Sequence, residues 1–258
     1  MPVPFVIFFQ GRCGSTWLCS LLDSHPDVTC RQEDFSIQGR REEGRRTERA
    51  RTISTFSGAV VGPTAEQALS HLDEIFDRGP VASGFKFKFL NQFDRFPEVL
   101  DRLYKLRAEL RVILLERDNY LRQVLSLAHV DRLKDERLEM TGSNLKVAAS
   151  RAPMQVDVQQ VRRKVVNVRE LTYMLREFSR QFEHVMSVEY SRLADAKTGE
   201  LARLLRFIEV DDSVSLESPY VKASPAAIEQ MVGNYDELAA SLAETPFARF
   251  LDGPSRAA

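Results

Sequence analysis

The chain has 258 residues, of which 43% are hydrophobic and 28% are charged. This composition, with 12 Gly and 11 Pro, excludes collagen-like, low-complexity and wholly disordered proteins. Lysine and arginine number 36 against 37 acidic residues, so the net charge of -1 provides no general attraction to nucleic acid or to an anionic membrane. Any anion-binding site must therefore be local.

The apolar stretches are far shorter than the roughly 20 residues that a membrane-spanning helix needs. Gln10, Gly11 and Arg12 follow the first apolar run directly, and no signal-peptide cleavage pattern is present. The three cysteines form no CxxC pair and have no histidines at metal-binding spacing. We expect a cytoplasmic protein that folds as one domain over residues 1–258, without a transmembrane segment and without a bound metal.

Strands and helices are predicted to alternate along the chain. Apolar runs without alternation are typical of strands buried on both faces of a parallel sheet, and they occupy residues 3–9, 84–89, 112–115 and 185–188. Apolar residues at helical spacing occupy residues 97–104, 121–128, 161–182, 201–208 and 228–242. This order predicts an α/β fold in three α/β/α layers around a central, mostly parallel sheet.

Residues 39–51 differ from the rest because arginine and glutamate leave almost nothing to bury. We expect a mobile surface loop or a solvated helix there. A lid or an acceptor-recognition loop is the alternative, since long polar insertions in compact domains are often functional.

The first predicted strand runs into residues 10–16, a glycine-containing turn that opens a helix. Backbone N–H groups, the hydroxyls of Ser15 and Thr16 and the cation of Arg12 converge there, which favours an anion-binding loop. It is not the loop of nucleoside triphosphatases, because GxxxxGK[ST] is absent. A tight turn with a capping hydroxyl is the purely structural alternative.

A second anion-binding element is predicted around Arg117 and Ser126. Arg117 follows the strand at 112–115, and Ser126 lies on the succeeding helix, so both can face a ligand at the carboxyl edge of the sheet. Guanidinium suits a phosphate dianion because it offers a planar fork of donors and keeps its charge. A surface salt bridge and an ordinary helix position are the alternatives.

The two elements resemble the motifs of sulfotransferases that use 3′-phosphoadenosine 5′-phosphosulfate (PAPS). Residues 12–17, Arg-Cys-Gly-Ser-Thr-Trp, are similar to the family's 5′-phosphosulfate loop, and residues 115–126 resemble its 3′-phosphate motif. The spacing from the arginine to the serine is nine residues in this chain, where eight is commoner in the family, and the family's RKGxxG clamp is absent. The donor-binding residues that the resemblance implies are Arg12, Cys13, Gly14, Ser15, Thr16, Trp17, Arg117 and Ser126. Lys222 is the candidate replacement for the clamp, and a solvated lysine is the alternative.

The resemblance covers nearly the whole chain except residues 39–80 and 132–160. Residues 234–238 and 245–247 are similar to bacterial sulfotransferases that act on carbohydrates, such as trehalose and nodulation-factor enzymes. It therefore implies transfer of a sulfuryl group from PAPS to a hydroxyl of a carbohydrate or glycolipid, without a metal and, by analogy, in a homodimer. Residues 39–80 would form a variable region on the acceptor side.

Glu33 is the candidate base that removes the acceptor proton. Residues 29–35 resemble the segment that carries the catalytic glutamate in the bacterial carbohydrate enzymes, and Asp34 is a rival because the alignment there is approximate. Lys86 lies in Gly-Phe-Lys-Phe-Lys-Phe, where the alternation places Lys86 and Lys88 on one strand face. The resemblance assigns Lys86 to the sulfuryl group, and a solvated strand face is the alternative.

Two other functions stay open from the sequence. A nucleotide kinase with a related loop is disfavoured by the missing lysine of GxxxxGK[ST]. A non-catalytic nucleotide-binding protein would keep the loop without needing the carboxylate of Glu33.

Overall fold

The computed structural model describes residues 2–42, 45–90, 92–135, 153–193, 195, 199–220 and 227–251, with side chains described outside 37–49 and 133–135. The chain forms two compact units. The first comprises Met1–Gln10, Gly14–Glu116 and Leu175–Ser218, and the second comprises Gly11–Cys13, Arg117–Met174 and Pro219–Ala258. The single domain over residues 1–258 stays a prediction.

The strands are β1 (Val3–Phe9), β2 (Val28–Arg31), β3 (Phe35–Glu42), β4 (Arg45–Thr55), β5 (Gly58–Val61), β6 (Ala82–Lys88), β7 (Arg111–Glu116) and β8 (His184–Glu189). The helices are α1 (Ser15–Asp23), α2 (Ala65–Asp77), α3 (Pro97–Lys105), α4 (Tyr120–Asp135), α5 (Val158–Ser179), α6 (Tyr190–Leu193), α7 (Glu200–Phe207), α8 (Ile228–Met231) and α9 (Tyr235–Leu242), followed by a 3-10 turn at Ala248–Phe250.

The first unit is built on a five-stranded sheet in the order β2-β6-β1-β7-β8. Every neighbouring pair of strands in it is parallel. The four strands predicted from unalternated apolar runs, β1, β6, β7 and β8, are all present. The pattern is clearest in β1 and β7, because these strands lie inside the sheet and bury side chains on both faces. Strand β2 was not predicted, because it is a four-residue edge strand with two partly exposed side chains.

Helices cover both faces of this sheet. Cys19 of α1 contacts Cys30 of β2 on one face, and the hydroxyl of Ser83 on β6 donates to the carbonyl of Ile75 in α2 on the other. Because successive strand residues point to opposite faces, Lys86 of β6 lies on the α1 face. The predicted α/β fold with a mostly parallel central sheet is confirmed.

One hydrophobic cluster of the first unit lies on the α2 face of the sheet and is rich in phenylalanine. Phe85 and Phe87 alternate with Lys86 along β6, and both are fully buried with Phe8, Phe35 and Phe96. Aromatic rings of this size bury large apolar areas. Strand β6 is consequently held in register from the core side, which fixes the opposite face where Lys86 lies.

We predicted a surface loop or a solvated helix for the charged segment at 39–51, and this prediction is wrong. Its described backbone belongs to the antiparallel pair β3 and β4, and β5 completes a three-stranded sheet. Strand pairing satisfies backbone polar groups whatever the polarity of the side chains. Buried Phe35 and Ile53, which pair across β3 and β4, join the base of this hairpin to the core.

The second unit packs around one face of α4. The predicted stripe on α4 is buried at Leu121, Val124 and Leu125, against Val161 and Val165 of α5. The predicted single helix over 228–242 is wrong, because the structure has α8 and α9 instead. Val232 is extended and forms a parallel bridge with Met154, a pairing that interrupts the helix and that local periodicity cannot reveal.

Candidate active site

The loop after β1 has an unusual backbone at two positions. Arg12 has φ 70° and Gly14 has φ 89°, both in the left-handed region. For a non-glycine residue this conformation costs about 1–2 kcal/mol, and such strain concentrates at functional sites. Position 14 favours glycine for two reasons. Its φ is positive, and a Cβ there would lie 2.3 Å from Cδ2 of Tyr190.

Helix α1 begins directly after Gly14. The amide of Leu18 donates to the carbonyl of Gly14 at 3.0 Å, which closes the first helical turn. Among the described residues, no side chain caps this turn. The alternative of a turn capped by a hydroxyl is therefore not seen in the described part of the chain, and the first amides of α1 suit an anionic group.

Three predicted residues of the first unit meet in what we call the lysine cluster: Thr16, Glu33 and Lys86. Lys86 Nζ donates to Thr16 Oγ1 at 2.8 Å and lies 3.3 Å from Glu33 Oε1. The side chain of Lys86 is only 3% exposed, whereas that of Glu33 is 43% exposed. Lys86 therefore does not lie on a solvated strand face, and it joins the loop hydroxyl to an accessible carboxylate.

Asp34, the rival base, is engaged elsewhere in the first unit. Its Oδ2 accepts hydrogen bonds from Arg31 Nε at 2.7 Å and His71 Nε2 at 3.1 Å. The Asp34 side chain is 4% exposed and that of His71 is 2% exposed. A carboxylate in this position has two donors already and little access to a ligand, which favours Glu33 over Asp34 as the base.

Three predicted residues of the second unit meet in what we call the arginine cluster: Arg12, Arg117 and Ser126. Arg12 Nε donates to Ser126 Oγ at 3.1 Å, and Arg117 Nη1 donates to the carbonyl oxygen of Arg12 at 3.3 Å. Although the spacing from Arg117 to Ser126 is nine residues and not the commoner eight, Ser126 therefore still contacts Arg12. Two guanidinium groups and a hydroxyl form a donor-rich cluster of the kind that binds phosphate.

The sequence did not point to Gln123, which also holds the arginine cluster in place. Its side chain is buried, and Nε2 donates to the carbonyl of Gly11 at 2.7 Å. Gln123 lies one helical turn before Ser126, so both side chains reach the Gly11–Cys13 segment from one face of α4. The signal was available in the sequence as a polar residue within an apolar stripe.

The other predicted donor residues have the following surroundings. Cys13 and Ser15 are buried, and Trp17 is half-buried with its ring 6.0 Å from that of Tyr190 in an edge-to-face arrangement. Lys222 lies outside the described residues. The roles of all these residues toward PAPS stay predictions.

The thiol of Cys30 interacts electrostatically with Lys86 of the lysine cluster, and its surroundings lower its reactivity. Cys30 Sγ donates to Cys19 Sγ at 3.1 Å, and both thiols are buried. Burial raises the pKa of the Cys30 thiol well above its ordinary value, and the hydrogen bond with Cys19 raises it further. The Cys30 thiol is consequently a poor nucleophile.

A family model for the sulfotransferase family matches residues 4–213. The match spans most of the chain and includes both clusters, so the chain belongs to the sulfotransferase family and is a transferase. A search of curated protein sequences found no match.

Two solved structures are similar to this chain. A sulfotransferase from Alicyclobacillus acidocaldarius has 16% identity and a TM-score of 0.49, with coverage of 98% of this chain and 94% of that one. The sulfotransferase domain from the curacin biosynthetic pathway has 16% identity and a TM-score of 0.43, with coverage of 85% and 76%. The family assignment stands on the family model.

Two further observations concern the described residues only. Among them, no helix is long and apolar enough to cross a membrane. No group of three or more histidine, cysteine, aspartate or glutamate side chains is arranged there to hold a metal ion. The absence of a metal requirement stays a prediction.

Proposed function

We propose that this sulfotransferase uses PAPS as its donor and transfers the sulfuryl group to a hydroxyl of a carbohydrate or glycolipid. The observation that carries the proposal is the buried ammonium of Lys86, held between Thr16 Oγ1 of the anion-binding loop and the exposed carboxylate of Glu33. A hydroxyl, a cation and a base thus lie within one cluster. Residues 39–80 are the acceptor-side region in this proposal.

The donor side uses the chemistry of residues 12–16 and of Arg117 and Ser126. The amides of the first turn of α1 bind the 5′-phosphosulfate, and the arginine cluster provides charge for phosphate groups. Because Thr16 Oγ1 accepts from Lys86, its own O–H proton is free to donate to a ligand oxygen. A neutral loop without these hydrogen-bond donors would leave the negative charge of PAPS uncompensated.

The transfer step moves one proton and one sulfuryl group. Glu33 takes the proton of the acceptor hydroxyl as the new S–O bond forms, and the S–O bond to the bridging oxygen of the donor breaks. Negative charge grows on that oxygen as 3′-phosphoadenosine 5′-phosphate (PAP) leaves, and Lys86 and the loop donors stabilise it. The products are the sulfate ester, PAP and a proton held by Glu33.

The experiment that tests this proposal measures transfer of label from ³⁵S-labelled PAPS to a panel of sugars that includes trehalose, and to water. Glu33→Gln should lower the rate by about 100-fold or more, within the range of general-base catalysis. Glu66→Gln makes the same chemical change on an exposed residue of α2 and should leave the rate unchanged. An unchanged rate in Glu33→Gln would exclude Glu33 as the base.

A further inference from the structure

Glu33 is followed directly by a carboxylate that is fixed in the protein interior. Asp34 Oδ2 accepts from Arg31 Nε at 2.7 Å and from His71 Nε2 at 3.1 Å. Arg31, Asp34 and His71 form what we call the anchor cluster. It adjoins the lysine cluster in sequence, and the proposed function assigns none of its members to donor binding or to removal of the acceptor proton.

The anchor cluster joins three separate elements of the first unit. Arg31 ends β2 and also donates through Nη2 to the carbonyl of Ser54 on β4 at 3.0 Å. His71 lies on α2, and its ring packs 5.6 Å from that of Phe35. The short turn that carries Glu33 is therefore tied to β2, β4 and α2 at once.

The backbone of the same turn is fixed as well. The amide of Asp34 donates to the carbonyl of Gln32 at 3.0 Å, and the amide of Ser54 donates to the carbonyl of Asp34 at 2.9 Å. The neighbours on both sides of Glu33 are consequently restrained, while the Glu33 side chain itself stays exposed. This combination is expected for a reactive group that must be accessible and precisely oriented.

We propose that Asp34 is a positioning residue that acts through Glu33. With Arg31 and His71, Asp34 holds residues 32–34 so that the Glu33 carboxylate stays beside Lys86 Nζ. This role rests on the proposed function, in which Glu33 is the base. Burying charged groups costs several kcal/mol unless they are paired and hydrogen-bonded, so such a cluster contributes orientation more than stability. A displacement of about 1 Å at a reacting group can lower a rate by about 100-fold.

A double-mutant cycle tests this coupling. Asp34→Asn should lower the rate of label release from ³⁵S-labelled PAPS by about tenfold, while PAP binds as in the wild type. In the Glu33→Gln background the same change should cause no further loss, because Asp34 then has no base to position. If the rate loss of the double variant equals the product of the losses of the two single variants, the proposal is overturned. It is also overturned if Glu33→Gln is active and Asp34→Asn is inactive, because Asp34 would then be the base.

Hydrogen exchange provides a readout that needs no substrate. Amides of residues 32–35 should exchange faster in Asp34→Asn and in Arg31→Gln, a milder variant that keeps the Asp34 to His71 contact. Asp73→Asn makes the same change on the exposed face of α2 and should alter neither exchange nor rate. Unchanged exchange at residues 32–35 in both test variants would overturn the anchor cluster, whereas a wild type that binds no PAP would contradict the proposed function instead.

Discussion

Arg12 Nε donates a hydrogen bond to Ser126 Oγ across 3.1 Å, although 114 positions separate the two residues. Arg117 Nη1 reaches the carbonyl of Arg12 at 3.3 Å in the same unit. Two segments that the sequence marks as separate anion-binding motifs are thus joined by side-chain contacts. Within the arginine cluster, Ser126 Oγ therefore supports the guanidinium of Arg12.

Ser126→Ala should weaken PAP binding by about three- to tenfold, because a hydrogen bond of this kind contributes about 0.5–1.5 kcal/mol. Calorimetric titration with PAP measures the change. Ser241→Ala is the matched control, since Ser241 Oγ donates within α9 to the carbonyl of Leu238 at 2.8 Å. Equal weakening by both variants would contradict a specific role for Ser126.

Lys86→Met should lower sulfuryl transfer by about 100-fold or more while the protein stays folded, because the variant removes the charge that stabilises the leaving oxygen. Stability should change little, since the partner Glu33 is 43% exposed and is rehydrated when its cation is lost. The transfer assay and a thermal melt measure the two effects. Lys88→Met, two residues further along β6 and partly exposed, is the control that should keep full activity.

Gly14→Ala should destabilise the protein more than Gly62→Ala does. Both glycines have a positive φ, but a Cβ at position 62 has nothing within 4 Å, whereas one at position 14 meets the Tyr190 ring at 2.3 Å. Strain alone should cost about 1–2 kcal/mol at each site, and the clash adds to it at position 14 only. Denaturant unfolding checks this, and equal losses in the two variants would exclude a close contact with Tyr190.

Cys30 should resist alkylation in the folded protein at pH 8. Burial, and then the hydrogen bond with Cys19, raise the pKa of the Cys30 thiol, so little of the reactive thiolate is present. Labelling by iodoacetamide, followed by mass spectrometry, should be slower at Cys30 than in the unfolded chain by about 100-fold or more. Rapid labelling of Cys30 in the native state would show that β2 opens readily and that its packing against α1 is wrong.

Much of the fold could be predicted because local pattern and burial agree. The unalternated runs of β1, β6 and β7 lie where two covered faces demand apolar side chains, whereas the edge strand β8 buries only alternate residues. The segment at 39–51 failed because pairing of β3 with β4 is a nonlocal relationship that side-chain polarity does not report. Helix α2 was missed although Thr64 and Gln67 form a capping box that the sequence displays.

The candidate site could be predicted as residue types, but the sequence did not give their partners. Glu33 and Asp34 are adjacent and chemically alike, so no local pattern separates them. Their environments differ because Asp34 meets His71 of α2, a helix that the prediction lacked. The contacts of Lys86 with Thr16 of α1 and with Glu33 in the turn after β2 likewise join residues far apart in the sequence.

The central claim is that this sulfotransferase binds a donor with a 3′-phosphate through Arg117, and calorimetric titration with PAP and AMP tests it most directly. AMP lacks the 3′-phosphate but keeps the adenosine and the 5′-phosphate. We predict that wild-type protein binds PAP much more tightly than AMP, and that Arg117→Ala weakens PAP by about 10- to 100-fold, as loss of a charged hydrogen bond should, without weakening AMP. Equal binding of the two nucleotides, or PAP binding unaffected by Arg117→Ala, would contradict the claim.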